Sequence, residues 1–366
     1  MYSPQNFDEI SLQSLSSELP TDQVLSLICV VNPASAINQG GAMRIRVKNL
    51  LTELEIPEPL SDFVMADLSE AGHTTRTRAY FVWDEHGHLQ RRVVDVQLEL
   101  PESASYGAPD LEPLTAVLAS SPHNVIVLVD HAWGRLFNVR LGEIREIHDA
   151  LMPNGGRREA ARNFDDNQYV EHQDQVFWNK IVEQLTKLRQ SGALEQLLIA
   201  GPPELRESLR TELTADLTGA LVGEFKVPGD ASAAQVLEAA QSALEMAVSN
   251  ADEAALEHVR ERGVSGAEMT LTAVQEGSVY ELLVAGDGSS TPVWRDTQGY
   301  VFGVYPDQGI STLTGGGVEG KQLRDVIGGL RENFGLKVRY LQGEIAQQLE
   351  AEMGGLAGLQ RHPDRA

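Results

Sequence analysis

The 366-residue sequence has one cysteine, few aromatic residues and no long apolar run. Cys29 alone cannot form an internal disulfide or supply a cysteine-based zinc site. No apolar stretch approaches the roughly 20 residues that cross a bilayer, and residues 1–20 lack the basic and apolar regions of a secretory signal. These absences argue against a disulfide-stabilised scaffold and a helical membrane protein. They predict a soluble protein in the cytoplasm, and the sequence indicates no cofactor and no metal site.

Positive charge is also scarce. The chain carries 29 basic and 53 acidic residues, for a formal net charge of −24. Residues 1–120, 121–262 and 263–366 are each acidic, with net charges of −10, −9 and −5. Non-specific nucleic-acid binding depends on a basic surface. Any contact with RNA would therefore need a local basic patch, which screening over a Debye length of about 8 Å allows.

Hydrophobic periodicity predicts an α/β fold in three domains. In residues 1–120, the apolar run 24–31 predicts a buried strand, and apolar side chains at helical spacing predict a helix over 42–56. Residues 78–83 and 90–100 are typical of two paired strands, the second with one face exposed to water. The first domain is therefore predicted to be an N-terminal α/β domain.

In residues 121–262, apolar strands alternate with helices of 12 residues or more. This pattern favours a mixed, partly parallel sheet with right-handed crossovers. The predicted strands are 125–129, 135–141, 144–148, 196–200 and 221–227, and the predicted helices are 168–190, 203–217 and one that starts at Ser232.

Residues 263–366 predict a small α/β/α sandwich. Ser265 and Glu268 have the spacing of a capping box for a first helix. A strand over 279–285 follows, then an irregular region at 299–320. The remaining elements are a helix over 320–334, a strand over 336–341, a helix over 344–352 and a glycine-rich tail.

Four segments carry a resemblance to a known family: the tail from Gly354 to Arg361, the strand 279–284, the run 195–227, and Arg135-Leu136-Phe137 with Gly142. They resemble the bacterial relatives of archaeal and eukaryotic class-1 peptide-chain release factors and of the rescue protein Pelota. The resemblance implies an N-terminal domain, a central α/β domain of release-factor type and a C-terminal domain like a small ribosomal protein. It covers nearly the whole chain.

The family's chemical signature is a Gly-Gly-Gln tripeptide, and this chain has Gly155-Gly156-Arg157 at the corresponding place. The resemblance implies that these three residues would serve as the catalytic tripeptide, supplying a backbone N–H while the ribosome positions water. Paired glycines permit positive φ and a close backbone approach. Arginine retains the backbone N–H but alters its surroundings. A plain surface turn is the alternative interpretation.

Two clusters are candidates for RNA binding. Arg157, Arg158 and Arg162 outnumber the nearby Glu159 and would suit phosphate groups. The second cluster lies on the predicted helix 42–56, where a solvated helix face is the alternative. Its members are Arg44, Arg46 and Lys48.

The resemblance implies a ribosome-associated factor that meets the ribosome and the tRNA acceptor end. Residues 1–120 show no counterpart of the stop-codon-reading motifs, so we expect a non-decoding factor for the rescue or hibernation of stalled or idle ribosomes. Two alternatives stay open. One is a peptidyl-tRNA hydrolase that releases nascent chains. The other is a module of the same ancestry that has left the ribosome for a protein partner.

Overall fold

A computed structural model describes residues 5–6, 9–69, 75–130, 133–151 and 165–361. The chain forms two compact units. The larger unit combines residues 1–120, here called the N-terminal lobe, with residues 250–366, the C-terminal lobe, and the central unit comprises residues 121–249. The predicted division into three domains therefore stays a prediction. Within the described ranges, none of the helices combines the length and apolarity needed to cross a bilayer.

The N-terminal lobe contains a five-stranded sheet in the order β1-β4-β3-β2-β5. Strand β2 is buried along its whole length, as its uninterrupted apolar run predicts, and helices α2 and α3 pack on the sheet through the same apolar cluster. The elements are β1 Gln5–Asn6, α1 Glu9–Glu18, β2 Val24–Val30, a 3₁₀ helix Ala36–Gly41, α2 Ala42–Thr52, α3 Glu58–Asp67, β3 Thr77–Glu85, β4 His88–Val96, β5 Ser103–Gly107 and α4 Glu112–Ser120.

Helix α2 is shorter than predicted, because it ends at Thr52 rather than at residue 56. Pro57 lies at the N-cap of α3 with an extended backbone. A residue that precedes proline is pushed away from helical backbone angles, so Ile56 cannot continue α2. Its apolar side chain nevertheless packs on the same core, which explains why periodicity alone extended the helix.

The central unit has a five-stranded sheet in the order β10-β9-β6-β7-β8. Strands β10, β9 and β6 are parallel, and β6, β7 and β8 are antiparallel, which confirms the predicted mixed sheet. One apolar core forms with α5, α6 and α7, and another forms with α8. The elements are β6 Asn124–Val129, β7 Trp133–Arg140, β8 Glu143–Leu151, α5 Asp165–Gln190, β9 Gln196–Ala200, α6 Pro203–Glu212, α7 Ala215–Ala220, β10 Leu221–Phe225 and α8 Ala233–Arg262.

The single helix predicted over 203–217 is wrong, because the chain breaks between α6 and α7. Leu213 has extended backbone angles, with φ −65° and ψ 140°. Thr214 then caps α7, and its hydroxyl accepts a hydrogen bond from the backbone N–H of Leu217. A threonine at an N-cap satisfies one of the free N–H groups of a new helix. The leucines at helical spacing remain on one face because both helices pack on the same core.

The C-terminal lobe has a four-stranded sheet in the order β11-β17-β12-β16 and a smaller one in the order β14-β13-β15. Apolar clusters cover both faces of the larger sheet, which confirms the predicted sandwich. The elements are β11 Val264–Ser265, α9 Ala267–Gln275, β12 Val279–Ala285, β13 Pro292–Asp296, β14 Val301–Phe302, a 3₁₀ helix Asp307–Gly309, β15 Val318–Gln322, α10 Leu323–Phe334, β16 Lys337–Leu341, α11 Gly343–Met353 and β17 Leu356–Gln360.

The predicted capping box of α9 is also wrong. Gly266, with φ +84°, occupies the N-cap and makes no side-chain cap. The Glu268 carboxylate instead accepts the backbone N–H groups of Gly303 and Val304, both at 3.0 Å. The capping box lies at α10, where Gln322 and Asp325 satisfy each other's backbone N–H groups. Helix α10 therefore begins at Leu323, three residues later than predicted.

The glycine-rich tail is not a surface segment. It contains β17, which lies between β11 and β12 and is buried over Leu356–Leu359. At Gly358, a Cβ atom would come within 3.1 Å of both methyl groups of Val279 and 3.3 Å from Thr270. Glycine is therefore needed there for sheet packing, which gives a structural reason for part of the pattern that carries the resemblance.

Candidate functional site

The predicted catalytic tripeptide and the central basic cluster lie outside the described part of the chain: Gly155, Gly156, Arg157, Arg158 and Arg162. They belong to residues 152–164, here called the central connection. It joins the end of β8, an edge strand of the central sheet, to the start of α5. Their predicted roles therefore stay predictions, and the structure describes how the two ends of the connection are held.

Helix α5 is anchored to the sheet by large apolar side chains. Phe177, Ile181 and Leu185 are fully buried against the core that includes Val127. Each such side chain stabilises the fold by roughly 1.5–3 kcal/mol relative to its exposed state. Trp178 adds a tilted ring contact with Phe177 at 4.8 Å between centroids. The C-terminal half of α5 is thus a firm support for the connection that precedes the helix.

A glycine on β7 lets α5 lie close to the sheet. A Cβ atom on Gly134 would come 3.0 Å from Cδ1 of Ile181 and 3.3 Å from Cζ of Phe177. Contacts this short require the neighbouring side chains to shift, which close-packed interiors resist. Gly134 therefore sets the distance between α5 and the β7–β8 hairpin, the two elements that bracket the central connection.

Arg135 fastens the same hairpin. Its Nε and Nη2 donate to the two carboxylate oxygens of Glu146 at 2.7 and 2.6 Å, and its Nη1 donates to the carbonyl of Ala231 at 2.6 Å. The guanidinium also lies 4.7 Å from the ring centroid of Phe137 and 5.3 Å from that of Trp133. The hydrogen bonds from Arg135 hold the pKa of Glu146 below its usual value.

Sequence reasoning missed this role of Arg135. The hairpin turn at Leu141-Gly142 would place Arg135 opposite His148, but the structure places Arg135 opposite Asp149. A bulge between Leu136 and Phe137 shifts the register by one residue. The register set by the turn was the available signal, because it pairs Phe137 with Glu146 and so makes Glu146 a diagonal neighbour of Arg135 on the same face.

The three side chains of the second basic cluster, on α2, differ in their exposure and in their partners. Arg46 turns inward, where its Nε and Nη2 form a bidentate ion pair with Glu102 and its Nη2 also donates to Asn38 Oδ1 at 2.8 Å. Arg44 and Lys48 are exposed, and their i, i+4 spacing puts them on one helix face. RNA binding by these three residues stays a prediction. Of these three residues, only Arg44 and Lys48 have no carboxylate partner among the residues that the structure describes.

Residues 109–245 match a family model described as "Bacterial archaeo-eukaryotic release factor family 10". The match covers nearly all of the central unit and includes the central connection. No curated protein matches the chain.

Three solved structures illustrate the likeness of the whole chain. An archaeal translation termination factor, aRF1, is 15% identical, with 98% of this chain and 99% of that chain covered and a TM-score of 0.28. An archaeal Pelota, from a structure described as ribosome-bound Pelota and ABCE1, is 14% identical, with 98% and 95% covered and a TM-score of 0.44. Dom34 of S. cerevisiae, described as interacting with Hbs1, is 12% identical, with 99% and 94% covered and a TM-score of 0.43. At these values the likeness carries no argument about activity.

Proposed function

We propose that this chain, a member of the release-factor and Pelota superfamily, is a non-decoding factor that binds ribosomes through its central connection. The observation that carries the proposal is the family match over residues 109–245. Within that segment, Gly155-Gly156-Arg157 falls in the connection between β8 and α5. Rescue or hibernation of stalled or idle ribosomes is the form of this activity that we favour.

The supports on either side of the connection favour this assignment. Residues 152–164, running out and back, could reach at most roughly 20 Å beyond their anchors. One anchor is an edge strand fastened by Arg135, and the other is a helix held by Phe177 and Ile181. A reacting or binding segment gains precision when rigid elements hold it. Loops on such scaffolds commonly carry function.

The charge of the central unit points to the same segment. Most of its described arginines are engaged with carboxylates on their own surface. The pairs are Arg135 with Glu146, Arg145 with Glu143, Arg189 with Asp216, Arg206 with Glu224, and Arg210 with Glu207. In a protein with a net charge of −24, the arginines of the central connection are therefore the cluster of this unit to which we assign a contact with rRNA or with the tRNA acceptor end.

Co-sedimentation with purified ribosomes at two salt concentrations tests the proposal. The wild-type chain should bind near one per ribosome at low salt and less at high salt, because phosphate contacts release counterions. A triple variant with Arg157→Glu, Arg158→Glu and Arg162→Glu should lose most of that binding.

The matched control reverses three exposed charges elsewhere in the central unit: Lys180→Glu, Lys187→Glu and Arg210→Glu. Both triple variants change the net charge equally, so the control should retain most of the binding. Equal loss in both variants would mean that only overall charge matters, and no loss in the first would overturn the role of the connection. Release of labelled peptide that Gly156→Ala abolishes would establish the hydrolase alternative.

A further inference from the structure

A cleft of roughly 750 Å³ lies between the two lobes of the larger unit. Its volume falls within the roughly 300–1,000 Å³ that is typical of small-molecule sites. One wall is formed by α2, the segment that leads into β5, and α4. The other wall is formed by the turn after β12, α10 and β16. Leu50, Leu100, Ala104, Pro113 and Val117 make the first wall largely apolar.

An ion pair holds the two walls together at one end. Arg331 on α10 donates to both carboxylate oxygens of Glu112 on α4, at 2.8 and 2.7 Å. Gly328 lies one turn before Arg331, and a Cβ atom there would come 2.9 Å from Oε2 of Glu112. The walls therefore meet through specific contacts, and the cleft beside them is a formed feature of the larger unit.

The carboxylates of the cleft differ in how they are paired. Glu102, Glu112 and Asp287 each accept hydrogen bonds from an arginine, and Asp325 accepts the backbone N–H of Gln322 in the capping box of α10. Asp110 has no ion pair in the described part of the chain, and its Oδ1 accepts only the backbone N–H of Glu112, at 3.1 Å. A half-buried carboxylate without a cation is costly to maintain.

Burial raises the pKa of Asp110 above its ordinary value, although the backbone N–H of Glu112 and the charge of Arg324 partly offset the rise. Asp325, on α10, raises it further. A cation placed beside this carboxylate would favour its charged form and so oppose the effect of burial. A second unsatisfied group lies in the same cleft, since the Ser105 hydroxyl oxygen is buried without a hydrogen-bond partner.

We propose that this cleft binds a small organic cation, an amine on a hydrocarbon body, whose ammonium group pairs with Asp110 while the body lies along the apolar wall. A bare metal ion does not fit, because the described residues contain no group of three or more metal-ligating side chains arranged to hold one. A neutral apolar compound would leave Asp110 unpaired. The proposal goes beyond the ribosome function and does not depend on it.

The test is a ligand-observed NMR titration of the full chain with hexylamine, compared with hexan-1-ol as its uncharged counterpart. Hexylamine should bind with a saturable 1:1 isotherm, and Asp110→Asn should weaken it at least tenfold, or about 1.4 kcal/mol. Asp62→Asn removes the same charge from an exposed position on α3 and should leave the affinity within twofold.

Val117→Trp tests the contribution of the cavity independently of the charge, because the tryptophan fills the cavity and leaves Asp110 in place. It should weaken hexylamine and hexan-1-ol alike, whereas Asp110→Asn should affect hexylamine alone. Circular dichroism identifies any variant that fails to fold. If Asp110→Asn were such a variant, retained hexylamine binding in folded Val117→Trp would still overturn the proposal. Non-saturable binding to the wild type, or equal weakening by Asp62→Asn and Asp110→Asn, would also overturn it.

Discussion

The two compact units differ in the sequence separation of their longest-range ion pairs. In the central unit the partners are close in sequence: Arg135 and Glu146 are 11 residues apart, and Arg206 and Glu224 are 18 apart. Both pairs link neighbouring elements of one sheet or one crossover. The central unit therefore places its charges through local topology.

The larger unit also has local pairs, such as Arg78 with Asp95, but in addition it has pairs whose partners are distant. Arg331 and Glu112 are 219 residues apart, because the whole central unit lies between them in the sequence. Arg260 and Glu352 are 92 residues apart. Closing such separations costs conformational entropy before any contact is gained. The larger unit thus depends on long-range contacts that its two lobes supply to each other.

The local pairs of the central unit lie beside an apolar core in which Phe177 is fully buried, and the largest expected effect is there. Phe177→Ala should destabilise the unit by about 4 kcal/mol, since a fully buried ring is lost and a cavity is left. Urea unfolding combined with hydrogen exchange resolved by peptide separates this unit from the larger one. Phe177→Leu is the control and should lose about 1 kcal/mol. If the alanine variant lost no more than the leucine variant, the packing of α5 would not anchor the sheet.

A smaller effect should come from breaking the long-range pair of the larger unit. Glu112→Gln should lower the free energy of unfolding by about 2 kcal/mol. The reason is that Arg331 is only 14% exposed and would keep its charge without a partner. The double variant with Arg331→Met should lose less than the sum of the single changes in a double-mutant cycle. Arg210→Met removes an exposed local pair of the central unit and should cost under about 0.5 kcal/mol. Equal losses of unfolding free energy on breaking the Glu112–Arg331 pair and the Arg210–Glu207 pair would contradict the distinction between the two units.

The smallest effects concern pH, and two carboxyl groups of the larger unit should act in opposite directions. Burial raises the pKa of Asp296, but hydrogen bonds from Ser311, Thr314, Tyr300 and Gln298 outweigh it and hold the pKa below its ordinary value. Its stabilising contribution is therefore present above the ordinary value and is lost as the pH falls through the lower folded value.

Asp110 has a raised pKa, so its contribution is present at low pH and is lost as the pH rises through the raised value. At neutral pH, Asp110→Asn should consequently raise the free energy of unfolding, whereas Asp296→Asn should lower it. Unfolding in urea from pH 3 to pH 7 measures both, with Asp62→Asn as the exposed reference. If both variants changed the free energy of unfolding in the same direction at neutral pH, this assignment would be contradicted.

Much of the fold could be predicted from the sequence because it follows from local periodicity. The run at Val24–Val30 and the strand Val279–Ala285 lie where their apolar patterns place them. The errors occur where a neighbour overrides a local signal. Thr214 begins a new helix within a leucine repeat, and Glu268 binds the backbone at Gly303 instead of capping α9.

The candidate site was predictable to a smaller extent. The connection that holds Gly155, Gly156 and Arg157 does link a strand to a long helix, as its position in the sequence indicated. The basic cluster on α2 could not be assigned from spacing alone. Helical spacing groups Arg46 with Arg44 and Lys48, but in the structure Arg46 forms an ion pair with Glu102. No sequence pattern indicated the cleft beside Asp110, since its walls come from segments more than 150 residues apart.

The sequence by itself determined the α/β class, the apolar strands and the acidic character, because each depends on residue type and short-range spacing. Tertiary structure decided which charges are available. Asp110 and Glu112 are two residues apart and chemically alike, yet only Glu112 meets an arginine. That difference arises from the approach of α10 to α4, which no spacing within either helix encodes.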